Sequence, residues 1–363
     1  MTIRGLSTQF QTLLSGPDAW SPDRLRNERH EVITLDAHAA GEPLRIILKG
    51  WPSFRAKSIL GCRREAISEH ERYRRALMWE PRGHRDMYGA LLIPPEKEDG
   101  DVGILFMHNE GYSTMCGHGI IAAMTALGEA GFLNWTGDIA IVRFDTPAGR
   151  VLARARRDQT RTVASVTFQN VPSFACLIGH ELALPGMGHV AIDLAFGGAF
   201  YVIVPAAAVN VSLSGTPLPE LVALCGRIKQ AAASSIEIKH PEDDDLSFLY
   251  GVILTDVPED ATHHSRNLCV FANGEVDRSP TGTGVSARLA AMHARGEIGP
   301  GEVLKIESIL GADSCFEVAF HDRVELGGVP AILPRVTGTG HLTGMHRFWL
   351  SDDDPIGAGF DLD

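Results

Sequence analysis

Short apolar runs, broken by glycine, proline and polar residues, recur along the whole chain and carry two different periods. In the first half, Val32–Leu35 and Arg45–Leu48 read as strands on either side of a polar, turn-rich loop, Asp36–Pro43. Ser68–Glu80 places Tyr73, Leu77 and Met78 in an apolar stripe and meets Pro81, which predicts a helix that stops there. Gly89–Ile93 and Gly103–His108 are further strands, the second leading to Cys116. The stretch after Cys116 sets Ile120, Ile121, Ala123, Met124 and Leu127 among alanines, so the helix it predicts is apolar nearly all round, and such a helix is buried. Strand patterns return at Ile139–Phe144, Val151–Ala155 and Val163–Phe168, with Thr146–Gly149 a turn.

Past Val171–Ser173 the pattern begins again. Ala191–Leu194, Phe200–Val204, Leu249–Leu254 and Leu268–Phe271 predict strands, Leu218–Ile228 and Ser286–Met292 helices, and Val303–Ile306, Phe316–Phe320 and Ala331–Val336 the rest of a sheet. Arg347–Leu350 is one more strand, which could belong to either half, and Asp352–Pro355 reads as a solvated turn. The recurrence extends to sequence. Cys116-Gly117-His118-Gly119 opens an apolar stretch ending at Gly131, and Thr281-Gly282-Thr283-Gly284 opens another, 165 positions on, ending at Gly296. Ala122 matches Ala287, Met124 matches Leu289 and Ala126 matches Ala291 at the same offset. Glycine lets backbone amides turn toward a ligand, and a helix start favours an anion, so two such starts facing each other could hold one carboxylate.

At 363 residues the chain is long enough for two domains, in agreement with the repeat. Its 44% hydrophobic and 21% charged residues describe a globular protein. With 33 lysines and arginines against 45 aspartates and glutamates, the formal charge of −12 argues against nucleic acid as a partner. The arginines at 63, 64, 72, 74 and 75 alternate with glutamates and read as a solvated helix face. Six cysteines without a CxxC pair signal neither a zinc site nor a disulfide scaffold, and no run reaches membrane-spanning length. A cytoplasmic location is expected, with residues 1–30 an N-terminal arm that either covers an edge or interface or is simply mobile, and a homodimer left open.

Cys116 is the leading candidate for chemistry. A cysteine is often an inert buried thiol, but one between a turn and a helix start has its thiolate favoured by the dipole and nearby amides. His118 is read either as a group that orients substrate or shuttles a proton, or as a simple helix cap. Asp277, four residues before Thr281, could accept from a substrate amine or cap a turn. His38, next to Glu42, is a pocket candidate, whereas His263-His264 lacks a third ligand at metal spacing and reads as a surface loop. Gly197-Gly198 suggests close backbone approach. Walker, HExxH and GxSxG motifs are absent from the sequence.

Met115-Cys116-Gly117-His118-Gly119 and Asp277-Arg278-Ser279-Pro280-Thr281-Gly282-Thr283-Gly284 together resemble the proline racemase family. Further matches are His38 with Gly41-Glu42-Pro43, Arg82-Gly83-His84, Asp193 through Gly198, Gly251 to Asp256, and Gly340 to Phe360. The resemblance implies an α/β (α+β) protein of diaminopimelate-epimerase-like fold: two pseudo-symmetric domains, each a curved sheet around a central helix, with the active site in the cleft they form. On that basis residues 31–170 with 345–363 form a first domain carrying Cys116, and 171–344 a second carrying Asp277 and Thr281. Family racemases and epimerases use two cysteines, one on each face of Cα, and the second position is here Thr281. That departure is the pattern associated with trans-3-hydroxy-L-proline dehydratases. By residue matching, the substrate is a small cyclic amino acid. Its carboxylate meets amides near Gly117, His118, Gly282 and Thr283, its ring nitrogen meets Asp277, and Phe271 lines the ring pocket. No cofactor or metal is implied. The alternatives are a proline or hydroxyproline racemase or epimerase, and a non-catalytic protein that binds cyclic amino acids.

Overall fold

The computed structural model describes Gly5 and residues 30–360, and the chain divides into two compact units. Residues 339–363, 119–167 and those up to Met115 form the first; Cys116–His118 and Phe168–Gly338 form the second. The expected N-terminal arm lies, apart from Gly5 and His30, outside the described residues.

In the first unit, strand His30–Ala39 pairs antiparallel with both Glu42–Lys49 and Gly340–Leu350, so the C-terminal strand returns to the first half. Glu42–Lys49 runs parallel to Tyr88–Ile93, which pairs antiparallel with Val102–His108. The segment Asp36–Pro43 is not a loop. Ala40 and Gly41, at φ +50° and +87°, make a two-residue turn, and the polar residues before and after it stay in strand. Asp36 faces Arg45 at 2.9 Å, which satisfies both buried charges.

The helix expected over Ser68–Glu80 is in fact two, Ile59–Glu69 and Glu71–Met78, broken at His70. Ser58 caps the first by accepting from the Gly61 amide, and Ile59, Cys62 and Ala66 are its buried stripe. These helices pack Tyr73, Leu77 and Met78 with Trp51, Leu105 and Met107 into one apolar cluster. The arginine-rich face is only partly solvated. Arg72 is an exposed partner of Asp352, but Arg74 is buried and donates to the carbonyls of His108 and Asn109.

The second unit begins with two strands, Phe174–Leu184 and Gly188–Phe196, of which the sequence showed only part of the latter. Strand Phe200–Pro205 follows, then Leu249–Asp256 parallel to it, then Ser265–Phe271 antiparallel to that. Helix Leu218–Ser235 buries Leu221, Leu224, Cys225, Ile228 and Ala232 and runs two turns further than its apolar pattern implied. Helix Gly282–Ala294 packs against Phe174–Leu184, Gly188–Phe196, Phe200–Pro205, Gly311–Leu326 and Val329–Gly338, and is buried from Gly282 to Met292. His263-His264 lie in the loop before Ser265–Phe271 as expected, with His264 exposed, but the His263 side chain turns inward. It is buried, with Nδ1 2.8 Å from Glu307, whose carboxylate also takes the amides of Glu259 and Asp260.

The sequence repeat is a repeat of topology. In the first unit, Val102–His108 pairs with the two-residue strand Tyr112–Ser113, helix Gly117–Glu129 follows, and Ile139–Thr146 returns parallel to Val102–His108. In the second, Ser265–Phe271 pairs with Glu275–Asp277, helix Gly282–Ala294 follows, and Leu304–Ser308 returns parallel to Ser265–Phe271. Each apolar helix is thus the crossover of a strand–helix–strand unit, where both of its faces meet other elements.

Candidate active site

The segment from Asp277 to Thr281 is a chain of local bonds. Asp277 Oδ1 accepts the Ser279 amide at 2.8 Å, and Ser279 Oγ accepts the Thr281 amide at 3.1 Å. Short polar side chains that bond two residues onward favour a turn over continued strand, which ends Glu275–Asp277 after three residues. The helix then starts with the Val285 amide donating to the Thr281 carbonyl at 2.7 Å. Thr281 itself has φ +68° and ψ +95° and does not cap the helix with its side chain. It is the one β-branched residue in the left-handed φ range among the described residues, a conformation that costs on the order of 1–3 kcal/mol. Its buried hydroxyl faces Asp277 and the Cys269 thiol without a hydrogen bond of good geometry.

Cys116–His118 group by contact with this second unit although the chain on either side belongs to the first. The reason is a backbone approach. A Cβ added to Gly117 would lie 2.5 Å from Gly282 Cα, and one added to Gly282 would lie 2.5 Å from Gly117 Cα. Neither glycine is at positive φ, so what demands glycine at both positions is this close approach. Two helix starts are thereby held side by side, and a helix start favours an anion. A second close approach supports the arrangement from behind: a Cβ on Gly197 would sit 2.2 Å from the Thr283 carbonyl, as the sequence anticipated for this glycine pair.

Cys116, His118 and Asp277 are all buried. Cys116 Sγ lies 3.2 Å from His118 Nδ1, and the same nitrogen is 3.9 Å from Asp277 Oδ2. His118 is therefore a side-chain neighbour of the thiol and not merely a cap. Burial pushes the Asp277 carboxyl up to about 6, against the opposing pull of the bond from Ser279 and the nearby Thr281 hydroxyl. A thiol, an imidazole and a carboxylate in this order can take up and release a proton, and the adjoining helix starts can hold an anion.

Thr283 is fixed by a 2.7 Å hydrogen bond with the Tyr201 hydroxyl. Phe271 stacks on Tyr250, ring centroids 5.3 Å apart and planes 15° apart, and is two residues along its strand from Cys269, which pairs directly with Asp277. His38, in the first unit, packs its ring on His341 at 5.2 Å. Sequence reasoning passed over Tyr201, Asn267, Ser279 and Arg288. The available signal was polar residues inside apolar elements, Arg288 above all, which sits in mid-helix among buried alanines and leucine. Among the described residues no group of three or more His, Cys, Asp or Glu is placed to hold a metal ion, and no helix is long and apolar enough to cross a membrane.

Comparison with known proteins places these residues in context. A sequence family described as proline racemase matches residues 34–361. A trans-3-hydroxy-L-proline dehydratase of Colwellia psychrerythraea is 41% identical over 343 residues, 94% of this chain and 96% of that protein. One from Bacillus cereus is 41% identical over 327 residues, covering 90% and 97%. Among solved structures, a hydroxyproline epimerase from Agrobacterium vitis with bound trans-4-hydroxy-L-proline superposes with a TM-score of 0.85 at 30% identity, covering 92% of this chain and 95% of that one.

Proposed function

The chain belongs to the proline racemase family, and we propose that it dehydrates trans-3-hydroxy-L-proline to Δ1-pyrroline-2-carboxylate and water, with Cys116 as the acid–base group. The observation that carries this reading is the unequal pair of helix starts: a thiol beside an imidazole at 116 and a hydroxyl at 281. Racemisation needs one group to remove a proton and another to supply one on the opposite face, and a threonine hydroxyl is a poor base near neutral pH. Dehydration needs a base on one face only. The relatives that bear the dehydratase name agree.

In trans-3-hydroxy-L-proline the hydroxyl is trans to the carboxylate, so the Cα hydrogen and the departing hydroxyl share one side of the ring. The Cys116 thiolate takes the Cα proton, the electron pair forms the Cα–Cβ double bond, and the C–O bond breaks. The thiol returns its proton to the leaving hydroxide, which departs as water and restores the thiolate. The resulting enamine tautomerises to the cyclic imine. Amides near Gly117, His118, Gly282 and Thr283 stabilise the carboxylate as it gains enolate character, where fixed donors contribute most. Asp277 accepts from the ring ammonium, the His118 imidazole steadies the thiolate by a hydrogen bond, Phe271 lines the ring pocket, and Thr281 positions the ring from the far face. This scheme draws on side chains and backbone alone.

The test is incubation of the purified protein with trans-3-hydroxy-L-proline, without added metal or cofactor, and detection of the pyrroline product. D-proline from L-proline, or epimerised 4-hydroxyproline, with no dehydration would replace this reading by a racemase or epimerase. Binding of these amino acids without turnover of any would replace it by a binding protein.

A further inference from the structure

Arg288 is buried in the middle of helix Gly282–Ala294, a helix otherwise lined with small and apolar residues up to Met292. Its Nη1 donates to Asn267 Oδ1 at 2.6 Å and to Ser265 Oγ at 2.9 Å, both on the neighbouring strand Ser265–Phe271. Burial lowers its pKa only to about 10, so the cation persists at neutral pH. A cation pinning the Asn267 carbonyl oxygen fixes which way that amide faces. Its nitrogen must then point away from Arg288, and Nδ2 donates to the Pro280 carbonyl at 3.0 Å. That carbonyl belongs to the peptide leading into Thr281.

Thr281 is consequently held on every side of its Cα: the preceding carbonyl by Asn267, its own amide by Ser279, and its own carbonyl by Val285. A β-branched residue at φ +68° persists only where its surroundings overdetermine it. The bond from Asn267 is the one of the three that comes from outside the turn and helix. We propose that Asn267 and Arg288 are positioning residues that lock the Pro280–Thr281 peptide and so aim the Thr281 hydroxyl toward Asp277 in the substrate site. The inference rests on the dehydratase reading only in taking Thr281 to face the substrate.

Asn267→Asp keeps the acceptor for Arg288 and removes the donor to Pro280. Expected is a folded protein whose kcat for trans-3-hydroxy-L-proline falls about fivefold to tenfold while KM changes less than threefold, because a misplaced ring is bound but not aligned. In a Thr281→Gly background, where no side chain has to be held at positive φ, the same substitution should cost less than threefold, a coupling seen only if the clamp acts through Thr281. Equal losses in both backgrounds, or no loss in either, would overturn the proposal. Should Asn267→Asp not fold, Arg288→Lys, which keeps the charge without the planar fork, enters the same cycle with the same expected coupling. If the wild-type protein makes no pyrroline product, the dehydratase reading fails by itself. The cycle is then read from urea denaturation midpoints, where a loss from Asn267→Asp that the Thr281→Gly background does not reduce would still overturn the clamp.

Discussion

The two helix starts share a backbone plan and differ in almost everything attached to it. At Gly117 and Gly282 the chains touch through paired glycines, and each start follows a short strand that hairpins onto a longer one. At the first start, the residue before the glycine is Cys116, and the residue after it, His118, turns its imidazole to the thiol at 3.2 Å. At the second, Thr281 sits in a strained conformation, and Thr283 turns its hydroxyl away to Tyr201 at 2.7 Å. At the second start Asp277, Ser279, Asn267 and Arg288 brace one turn. On the proposed reading, the difference teaches that a duplicated frame can keep its backbone symmetry while its chemistry becomes one-sided: one copy supplies a thiol and the other a braced hydroxyl.

The strongest way to break that comparison is at the thiol. Cys116→Ser keeps the shape of the first start but substitutes a far weaker base, so dehydration should fall by about 10²–10⁴-fold, the usual contribution of a general acid–base group. Substantial remaining turnover would mean that the proton is handled elsewhere. Asp277 comes next. Asp277→Asn should cost about 1.5–3 kcal/mol of transition-state binding, roughly tenfold to a hundredfold in kcat/KM, if it accepts from the substrate ammonium. Its effect on stability should have the opposite sign. A carboxyl whose folded pKa is about 6, above the ordinary value near 3.9, stabilises the fold below pH ~4 and loses that contribution as pH rises through 6. Above pH 7, therefore, Asp277→Asn should gain about 2–3 kcal/mol relative to its own difference from wild type at pH 4. Urea melts at the two pH values measure this, and a pH-independent difference would show that the carboxyl is not perturbed.

How far the molecule was legible in its sequence follows from where each signal resides. Helix Gly117–Glu129 was legible because it has no polar face to confuse the pattern. Helix Ile59–Glu69 was not, because Ile59, Cys62 and Ala66 form a thin stripe among arginines and glutamates, and the break at His70 leaves no proline or glycine to mark it. Strand Phe174–Leu184 was missed because much of it is exposed and only Phe174, Leu182 and Leu184 are buried. In the site, Cys116 and Thr281 stood out because the duplication aligns them, and His118 and Asp277 because they flank those two positions. The left-handed turn at Thr281 and its support by Asn267 and Arg288 were invisible, since they depend on partners 13 and 21 positions apart across a strand and a helix.

Smaller effects test the frame. Gly282→Ala would put a methyl against Gly117 backbone that has no rotamer in which to escape, and overpacking of this kind costs about 1–3 kcal/mol. Gly226→Ala, in the middle of helix Leu218–Ser235 with open space around it, should instead gain about 0.5–1 kcal/mol. Denaturation midpoints that moved the same way in both variants would remove the special role given to the glycine contact.

The site substitution expected to cost least and the most informative one both fall at Thr281. If its hydroxyl only positions the ring, Thr281→Ala should lower dehydration by less than about tenfold, the scale of one neutral hydrogen bond. The backbone around it is held by bonds that do not involve the side chain, so φ +68° should survive the change. Thr281→Cys goes further and restores a thiol at both starts. Proton removal on one face and delivery on the other then become available, and L-proline should exchange its Cα hydrogen for deuterium and yield a measurable amount of D-proline. Turnover of trans-3-hydroxy-L-proline and Cα deuteration of L-proline, measured for both variants beside Cys116→Ser, decide the matter. Should Thr281→Ala lose dehydration entirely while Cys116→Ser retains it, the roles of the two starts are reversed, and Thr281 or a water it holds must deliver the proton to the leaving hydroxyl.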